Sequence, residues 1–417
     1  MTPTQDPAAA PDTIVIGAGI IGIACAAELA EAGRSVLVLD RTGICEETSS
    51  GNAAALAFPD YLPLAHKGML RKLPGWLADP LGPLSIPPAY LPQLAPWLWR
   101  FLRAGHPRFF DAGVSAQSAL MGLAESEWTA LAERAGMSGM IRHDGALDLY
   151  EGEGEFRSTL PGWQVRERMG VSFEHVSGAR LAELQPGLSP RFTHGTFMPG
   201  WKTVSDPKDF GKALWAYAEG RGARFRQARV TAITPGAPWR VETDTGSLSA
   251  PNLVLAAGAW SHQLARQLGD RVPLETERGY NTTLPAGAWP LRRQLTFVGH
   301  GFVVTPLANG LRVGGAVELG GLSRAPNFAR SRAMLAKAQA FLPGLKTEGG
   351  REWMGFRPSL PDSLPVIGRA RAPNLIYAFG HGHLGLTQAA ATGHLVRQLV
   401  LGQTPALDLA PFSPYRF

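Results

Sequence analysis

Hydrophobic positions along the chain follow two periods, and they separate strands from helices. Thr-Ile-Val-Ile at 13–16 is a short β-branched run of the kind that forms a buried parallel strand. An alanine-rich stretch over roughly 20–32, stopped near Gly33, predicts a helix. SVLVLD is a second buried strand ending at Asp40, so the first 40 residues hold a complete strand–helix–strand unit. Helical patterns recur over 111–136, 206–221 and 327–341. Residues 145–154 (GALDLYEGEG) alternate like a half-exposed strand, and ARFRQARVTAI, WRVETDTG and SLSAPNLVLAAG read as strands. Residues 297–318 alternate again around a hairpin turn at Asn309-Gly310. LIYAFG is a last buried strand, and a glycine-rich turn leads from it into a helix that runs to about 401. The segment 60–110 breaks both periods, being rich in Pro, Leu and Trp, and no internal repeat occurs.

Between the first strand and helix stand Gly17, Gly19 and Gly22, a spacing that gains meaning from its strand-to-helix setting. Gly17 permits the tight turn, Gly19 lets the backbone approach a pyrophosphate, and Gly22 lets helix and strand pack closely. The helix N-terminus offers free N–H groups and a positive dipole end. Asp40 closes the second strand, where an acid accepts hydrogen bonds from an adenosine ribose. A dinucleotide is the expected ligand.

Composition narrows the class. A chain of 417 residues is long enough for two domains, and 45% hydrophobic with 18% charged residues describes a globular protein. The net charge of +6 suits an acidic partner, a membrane surface or an anionic substrate without choosing among them. No block of Lys and Arg marks a nucleic-acid arm, so no nucleic-acid partner is expected. Cys25 and Cys45 share no metal-type spacing; no metal site and no disulfide framework is expected, and a reducing, cytoplasmic compartment is. The apolar run TIVIGAGIIGIACAAELA is too short to span a bilayer, is interrupted by three glycines and contains Glu28.

The loop after Asp40, DRTGICEETSSGNAAALAF, distinguishes a flavin from a nicotinamide cofactor. In place of a regular helix and strand it carries Arg41, Thr48, Ser49 and Asn52, hydroxyl and amide groups suited to phosphate and flavin-ring contacts. With that loop, the glycine fingerprint, PNLVLAAGAWS at 251–261, ERGY at 277–280, GFRPSLPDSLPVIG at 355–368 and GHGHLGLT from Gly380, the chain resembles the FAD-dependent D-amino acid oxidase and glycine oxidase family, and within it the bacterial D-amino acid dehydrogenases. The motifs span nearly the whole chain in order. It departs from the family at Asp40, where Glu is more usual, at the loop ending NAAAL, and at His383, where a small residue is typical.

The resemblance implies an α/β fold: a discontinuous Rossmann-like FAD-binding domain (1–60, 178–265 and 345–417) and an α+β substrate domain with a large mixed sheet (61–177 and 266–344). It implies FAD-dependent oxidative deamination of a D-amino acid by hydride transfer from Cα to flavin N5, with electrons passing to a quinone or other carrier. Arg357 is the expected carboxylate-binding arginine, since a bidentate guanidinium suits that group. Tyr280 is expected to donate to the same carboxylate or cap the pocket, and Arg278 has a lesser claim. His383 is expected to meet the substrate side chain, which points to a cyclic imino acid such as D-proline or D-hydroxyproline. For FAD the expected contacts are Gly17, Gly19, Gly22, Asp40, Arg41, Thr48, Ser49 and Asn52; Val230 at the adenine; Ala257 and Gly258 at the pyrophosphate; and His381, Gly382, Leu384, Gly385 and Thr387 at the flavin end, where a second helix N-terminus would face the ring. The alternatives are an oxygen-using oxidase of glycine or sarcosine type, and a flavin-binding protein without catalysis. Trp76, Trp97, Trp99, Phe101 and Leu102, with Arg100 and Arg103, form a candidate peripheral contact with the cytoplasmic face of a membrane, or else pack within the substrate domain.

Overall fold

The computed structural model describes residues 10–65, 75, 76, 79 and 81–417. A six-stranded sheet carries the expected cradle. Its strands run in the order Arg224–Gln227, Val36–Asp40, Thr13–Ile16, Asn252–Leu255, Leu375–Phe379 and Val366–Arg369, all parallel except the last pair. Thr13–Ile16 is buried along its whole length, as a strand covered on both faces must be, which is why it reads as continuous apolar sequence. Helices Ile20–Glu31 and Gly385–Val400 pack closely on one another. A Cβ on Gly393 would lie 2.6 Å from the Ala24 carbonyl oxygen, so the backbones approach closer there than any side chain allows.

The second layer is a nine-stranded mixed sheet. From one edge it runs Arg351–Ser359, Glu275–Pro285, Gly310–Leu319, Phe302–Leu307, Gln294–Phe297, Ala146–Tyr150, His194–Met198 and Glu174–Ser177, with Leu84–Ser85 added beside Gly310–Leu319. This moves two expected boundaries. His194–Met198 and Arg351–Ser359 were expected in the FAD-binding portion, yet both hydrogen-bond into the large sheet. Arg351–Ser359 pairs with Glu275–Pro285 over nine residues, a tie that local sequence cannot reveal.

Two segments read as single strands each divide between two sheets. ARFRQARVTAI splits into Arg224–Gln227, at the edge of the parallel sheet, and Val230–Thr234, in a three-stranded antiparallel sheet. SLSAPNLVLAAG breaks at Pro251, which has no N–H to give a ladder. The strand expected over 145–154 ends at Tyr150, and a helix, Gly152–Arg168, follows, its entry held where Glu151 N–H donates to Glu155 Oε2 at 2.7 Å. The Pro- and Trp-rich stretch contains a further helix, Leu91–Ala104. There Trp97 is buried and stacks on Phe101 with centroids 5.1 Å apart, while Trp99 and Leu102 are 60% and 52% exposed. No helix among the described residues is long and apolar enough to cross a membrane.

Candidate active site

A cavity of about 800 Å³ lies between the carboxyl ends of the parallel strands and one face of the large sheet. Its lining runs from Arg229 and Val230 past Gly17, Gly19, Ser49, Ala257 and Gly258 to His381, Gly382, His383, Leu384 and Gly385, and on to Arg357, Gln294 and Asp148. Ligands of open α/β sheets bind at this end of the strands.

The glycine turn is built for close approach. Gly17 has φ of +111°, and a Cβ on Gly22 would lie 1.9 Å from the Gly17 carbonyl oxygen. Gly22 does not line the cavity; it serves the packing of helix on strand. Asp40 Oδ2 accepts from Ala18 N–H at 2.8 Å, and its Oδ1 accepts from the Thr42 N–H at 2.8 Å and hydroxyl at 2.9 Å. A lone pair on Oδ2 remains for a ribose hydroxyl. Ser49 Oγ accepts from Ile20 N–H at 2.9 Å, which caps the first helix from a distant loop and leaves the hydroxyl hydrogen to donate. Arg41 is held by Glu47 at 2.8 Å and lies 3.8 Å over the Trp260 ring.

Other expected contacts carry structural duties as well, and of these Thr48 and Asn52 line the cavity. The Thr48 hydroxyl donates to Phe356 O at 2.9 Å and accepts from Phe356 N–H at 3.1 Å, fastening the loop to the large sheet. Asn52 donates to Ser49 O at 3.0 Å and accepts from Ala54 N–H at 2.8 Å, where Ala54 has φ of +57°. Thr387 is buried off the cavity; its hydroxyl accepts from Ala57 N–H at 2.9 Å and donates to Ala55 O at 3.3 Å. Hydroxyls and amides near a Gly-rich turn read alike whether they bind phosphate or backbone. His381 borders the cavity, but its ring is buried and its Nε2 lies 3.0 Å from Thr392 Oγ1. That hydroxyl already donates to Gln388 O, so Nε2 carries the ring proton. Burial pushes the His381 pKa down to about 3, and the imidazole stays neutral.

At the substrate end, strand alternation decides which side chains reach the cavity. Glu275–Pro285 turns Gly279 and Asn281 toward it; Tyr280 also borders the cavity, but its phenol and the Arg278 guanidinium lie on the face that carries Glu318. The Tyr280 phenol therefore donates to Glu318 Oε2 at 2.5 Å and accepts from Asn327 N–H at 3.1 Å, while Arg278 pairs with the same carboxylate at 3.0 Å. Neither side chain is placed to hold a substrate carboxylate in the cavity. Arg357, paired opposite Glu277 in the neighbouring strand, does face it. Its guanidinium lies on Gly279, where a Cβ would be 2.4 Å from Nη2, and its one hydrogen bond among the described residues goes to Ala316 O at 3.3 Å. Ala316 has φ of +54° at a register shift between its strand and Glu275–Pro285. Burial pulls the Arg357 pKa below its ordinary value, but a guanidinium stays charged. His383 lines the cavity with Nε2 3.5 Å from Asp60 Oδ2. Sequence reasoning missed Asp60, Asp148, Arg166 and Gln294, which also line it; only the parity of Asp148, between Leu147 and Leu149, hints at its face.

A family model described as FAD dependent oxidoreductase matches residues 12–399, almost the whole chain. The chain belongs to that family of FAD-dependent oxidoreductases. It is 36% identical over 413 residues to a D-amino-acid oxidase of Bradyrhizobium diazoefficiens, covering 97% of this chain and 98% of that one. It is 29% identical over 414 residues to a D-amino acid dehydrogenase of Neisseria meningitidis, covering 97% and 99%. Among solved structures it is similar to glycine oxidase from Geobacillus kaustophilus, with a TM-score of 0.76, 23% identity and coverage of 98% and 99%, a likeness of fold.

The residues present fit FAD in this oxidoreductase. The cavity is long, its first half is glycine backbone at a helix N-terminus, and Arg41 and Ser49 keep donors beside that backbone. At its other half Gly382 has φ of +54°, and a Cβ there would meet no atom within 4 Å, which leaves open space where the second helix begins. FAD supplies a two-electron acceptor for amino acid oxidation. The protein supplies the cradle, a neutral His381 and a guanidinium fork at the far end.

Proposed function

We propose that this enzyme oxidises a D-amino acid to its imine, which water converts to the 2-oxo acid and ammonia. Arg357 carries the reading: it is a cavity-facing guanidinium with no acidic partner within ion-pair distance among the described residues. A substrate carboxylate bound there forms charge-assisted hydrogen bonds and fixes Cα, from which the hydride departs to FAD. The electrons then pass to a quinone or other carrier. His383, beside Asp60, gives a polar wall rather than a bare imidazole for a ring such as that of D-proline. Anaerobic bleaching of the yellow holoenzyme across D-amino acids, their L-enantiomers, D-proline analogues, glycine and sarcosine tests the reading. Bleaching by several D-enantiomers supports it, and bleaching by glycine or L-enantiomers alone overturns it.

The 36% identity to a protein named D-amino-acid oxidase favours a second reading for the acceptor, in which oxygen takes the electrons. Peroxide formed in step with turnover, with no gain from artificial dyes, selects oxygen. The carrier reading would place the enzyme at the cytoplasmic face of a membrane, with the exposed Trp99 and Leu102 and the neighbouring Arg100 and Arg103 as its contact. Flotation with anionic liposomes tests that placement, and loss of flotation in Trp99→Ala assigns it to this helix.

A further inference from the structure

The far end of the cavity holds charge that the oxidation itself does not use. Asp148 faces it from the strand Ala146–Tyr150, flanked in register by Thr296 on one side and Thr196 on the other. Arg166, from the helix Gly152–Arg168, turns its ion pair to Asp60 at 3.4 Å, and Asp60 also has His383 at 3.5 Å. Burial works to raise Asp60, but the His383 hydrogen bond and the Arg166 charge outweigh it and hold its carboxyl below the usual range. Asp60 is thus the compensated acid. Asp148 has no ion-pair partner among the described residues, so this end carries one unmatched negative charge. Beside it Gln294 is 2% exposed and its Oε1 has no hydrogen-bond partner. Gln294 lies opposite Ala146 in the adjoining strand, on the same face as Thr296 and Asp148. Thr296 donates to Asp148, whose remaining lone pairs and the unpartnered Gln294 Oε1 lie at one place. Arg166 Nε and Trp201 Nε1 are unpartnered donors on the same wall, which gives a diacid substrate as the rival occupant.

We propose that Asp148 and Gln294 form a subsite for a cationic substrate side chain, a guanidinium or ammonium, so that the preferred substrates are basic D-amino acids. This rests on the amino acid oxidation proposed above, with Arg357 holding the α-carboxylate. The loop carrying His383 is tied to the Arg357 strand, since Gly382 N–H donates to Pro358 O at 2.7 Å, so the Asp60–His383 wall begins beside the carboxylate anchor. An extended basic side chain runs along that wall to Asp148. A hydrogen bond to a charged group is worth about 1.5–3 kcal/mol, or roughly ten- to a hundredfold in discrimination. The groups facing Asp148 are Arg166, Asp60, Thr296 and Tyr150, with His175 reached through Thr196. Burial, against the pull of Arg166, lifts Asp148 to about 6, so its charge is present above that pH and fades below it.

The test compares D-arginine with its uncharged isostere D-citrulline, and D-glutamate with D-glutamine, in the holoenzyme. The expected result is a kcat/KM ratio of D-arginine to D-citrulline of about ten or more at pH 8, falling toward one at pH 5. Asp148→Asn should remove both the preference and its pH dependence, and Asp148→Glu should restore the preference. Calorimetric binding of 5-guanidinopentanoate, which lacks the α-amine and cannot be oxidised, gives a readout independent of turnover and should weaken at least tenfold in Asp148→Asn. A ratio near one at pH 8, or a preference for D-glutamate over D-glutamine, overturns the subsite while leaving D-amino acid oxidation standing. Failure of every D-amino acid to react overturns the oxidation reading instead, and the guanidino-acid titration still decides the subsite. If the Asp148 variants do not fold, the wild-type pH series alone decides it.

Discussion

A methyl group added at Gly279 should disable the carboxylate anchor without touching its charge. The Arg357 guanidinium lies directly on Gly279, and a Cβ there would stand 2.4 Å from Nη2 and 2.5 Å from Cζ. Ordinary van der Waals contact needs about 3.4–4.0 Å, so the fork must move by about 1 Å or more. The Gly279 backbone is paired with Gly355 on one side and sits at the register shift opposite Ala316 on the other, and the guanidinium has, among the described residues, one hydrogen bond to lose, to Ala316 O at 3.3 Å. A misplacement of about 1 Å in a positioning group costs on the order of a hundredfold in rate, near 2.7 kcal/mol. Gly279→Ala should therefore lower kcat/KM for D-amino acids by roughly ten- to a hundredfold, while Arg357→Met, which removes the fork entirely, lowers it by about 3–5 kcal/mol in transition-state binding. The two changes act through one contact, so Gly279→Ala should have almost no further effect once Arg357 is Met. Steady-state kinetics on the four proteins of this cycle, with flavin content and melting temperature matched, measure the coupling. A Gly279→Ala enzyme within threefold of wild type would refute the anchoring geometry, as would additive losses in the double variant.

Gly22→Ala would drive a Cβ to 1.9 Å from the Gly17 carbonyl oxygen, a contact with backbone on both sides, so the purified protein should lose its yellow colour and its flavin absorbance. His381 is held neutral to about pH 3 in the folded state, while an unfolded histidine takes its proton near pH 6.5. Stability from this group is therefore complete above about pH 6.5 and is lost as pH falls toward 3, by about 2 kcal/mol between pH 7 and 5. Urea midpoints should show wild type losing more than His381→Gln over that interval, and equal losses would refute a buried neutral imidazole. Cys25 and Cys45 are both fully buried, and burial pushes the Cys45 thiol up to about 12, so a thiol reagent should label neither residue in the native enzyme and both in denaturant.

What the sequence made legible was local. The strand Thr13–Ile16, its glycine turn and its helix lie within twenty residues, and continuous apolar sequence flanking a glycine turn has few other solutions. Arg357 was legible only through its surrounding motif. Tyr280 shows where local reading stops: its parity with Arg278 and against Gly279 is plain in the sequence, but which parity faces the cavity depends on the strands beside it. Asp148 and Gln294 stand almost 150 residues apart and meet because Gln294–Phe297 pairs in parallel with Ala146–Tyr150, a long-range match with no local signature.

Two residues expected at the cofactor, Thr48 and Asn52, line the cavity and also bind backbone, and with Gly51 between them they share a location that bears on catalysis. Thr48 grips Phe356, the residue before Arg357; Gly51 O accepts from Asn281 Nδ2 at 2.7 Å; and Asn52 O accepts from Arg312 Nη1 at 2.6 Å. On the other side Gly382 N–H reaches Pro358 O at 2.7 Å. The loop after Asp40 and the turn before the last helix thus clasp the strand of Arg357 from both flanks. The proposed hydride transfer needs Cα held over the ring to within a fraction of an ångström, and on that proposal the ring would be positioned by one sheet while the carboxylate is anchored by the other. Hydrogen bonds that join the two layers within a residue of the anchor convert two separately folded surfaces into one rigid frame. On this argument Thr48→Val, which keeps the shape of the side chain and removes both bonds to Phe356, should leave FAD bound and raise KM and lower kcat together. A variant that lost FAD with substrate kinetics unchanged in the remaining holoenzyme would return Thr48 to the cofactor.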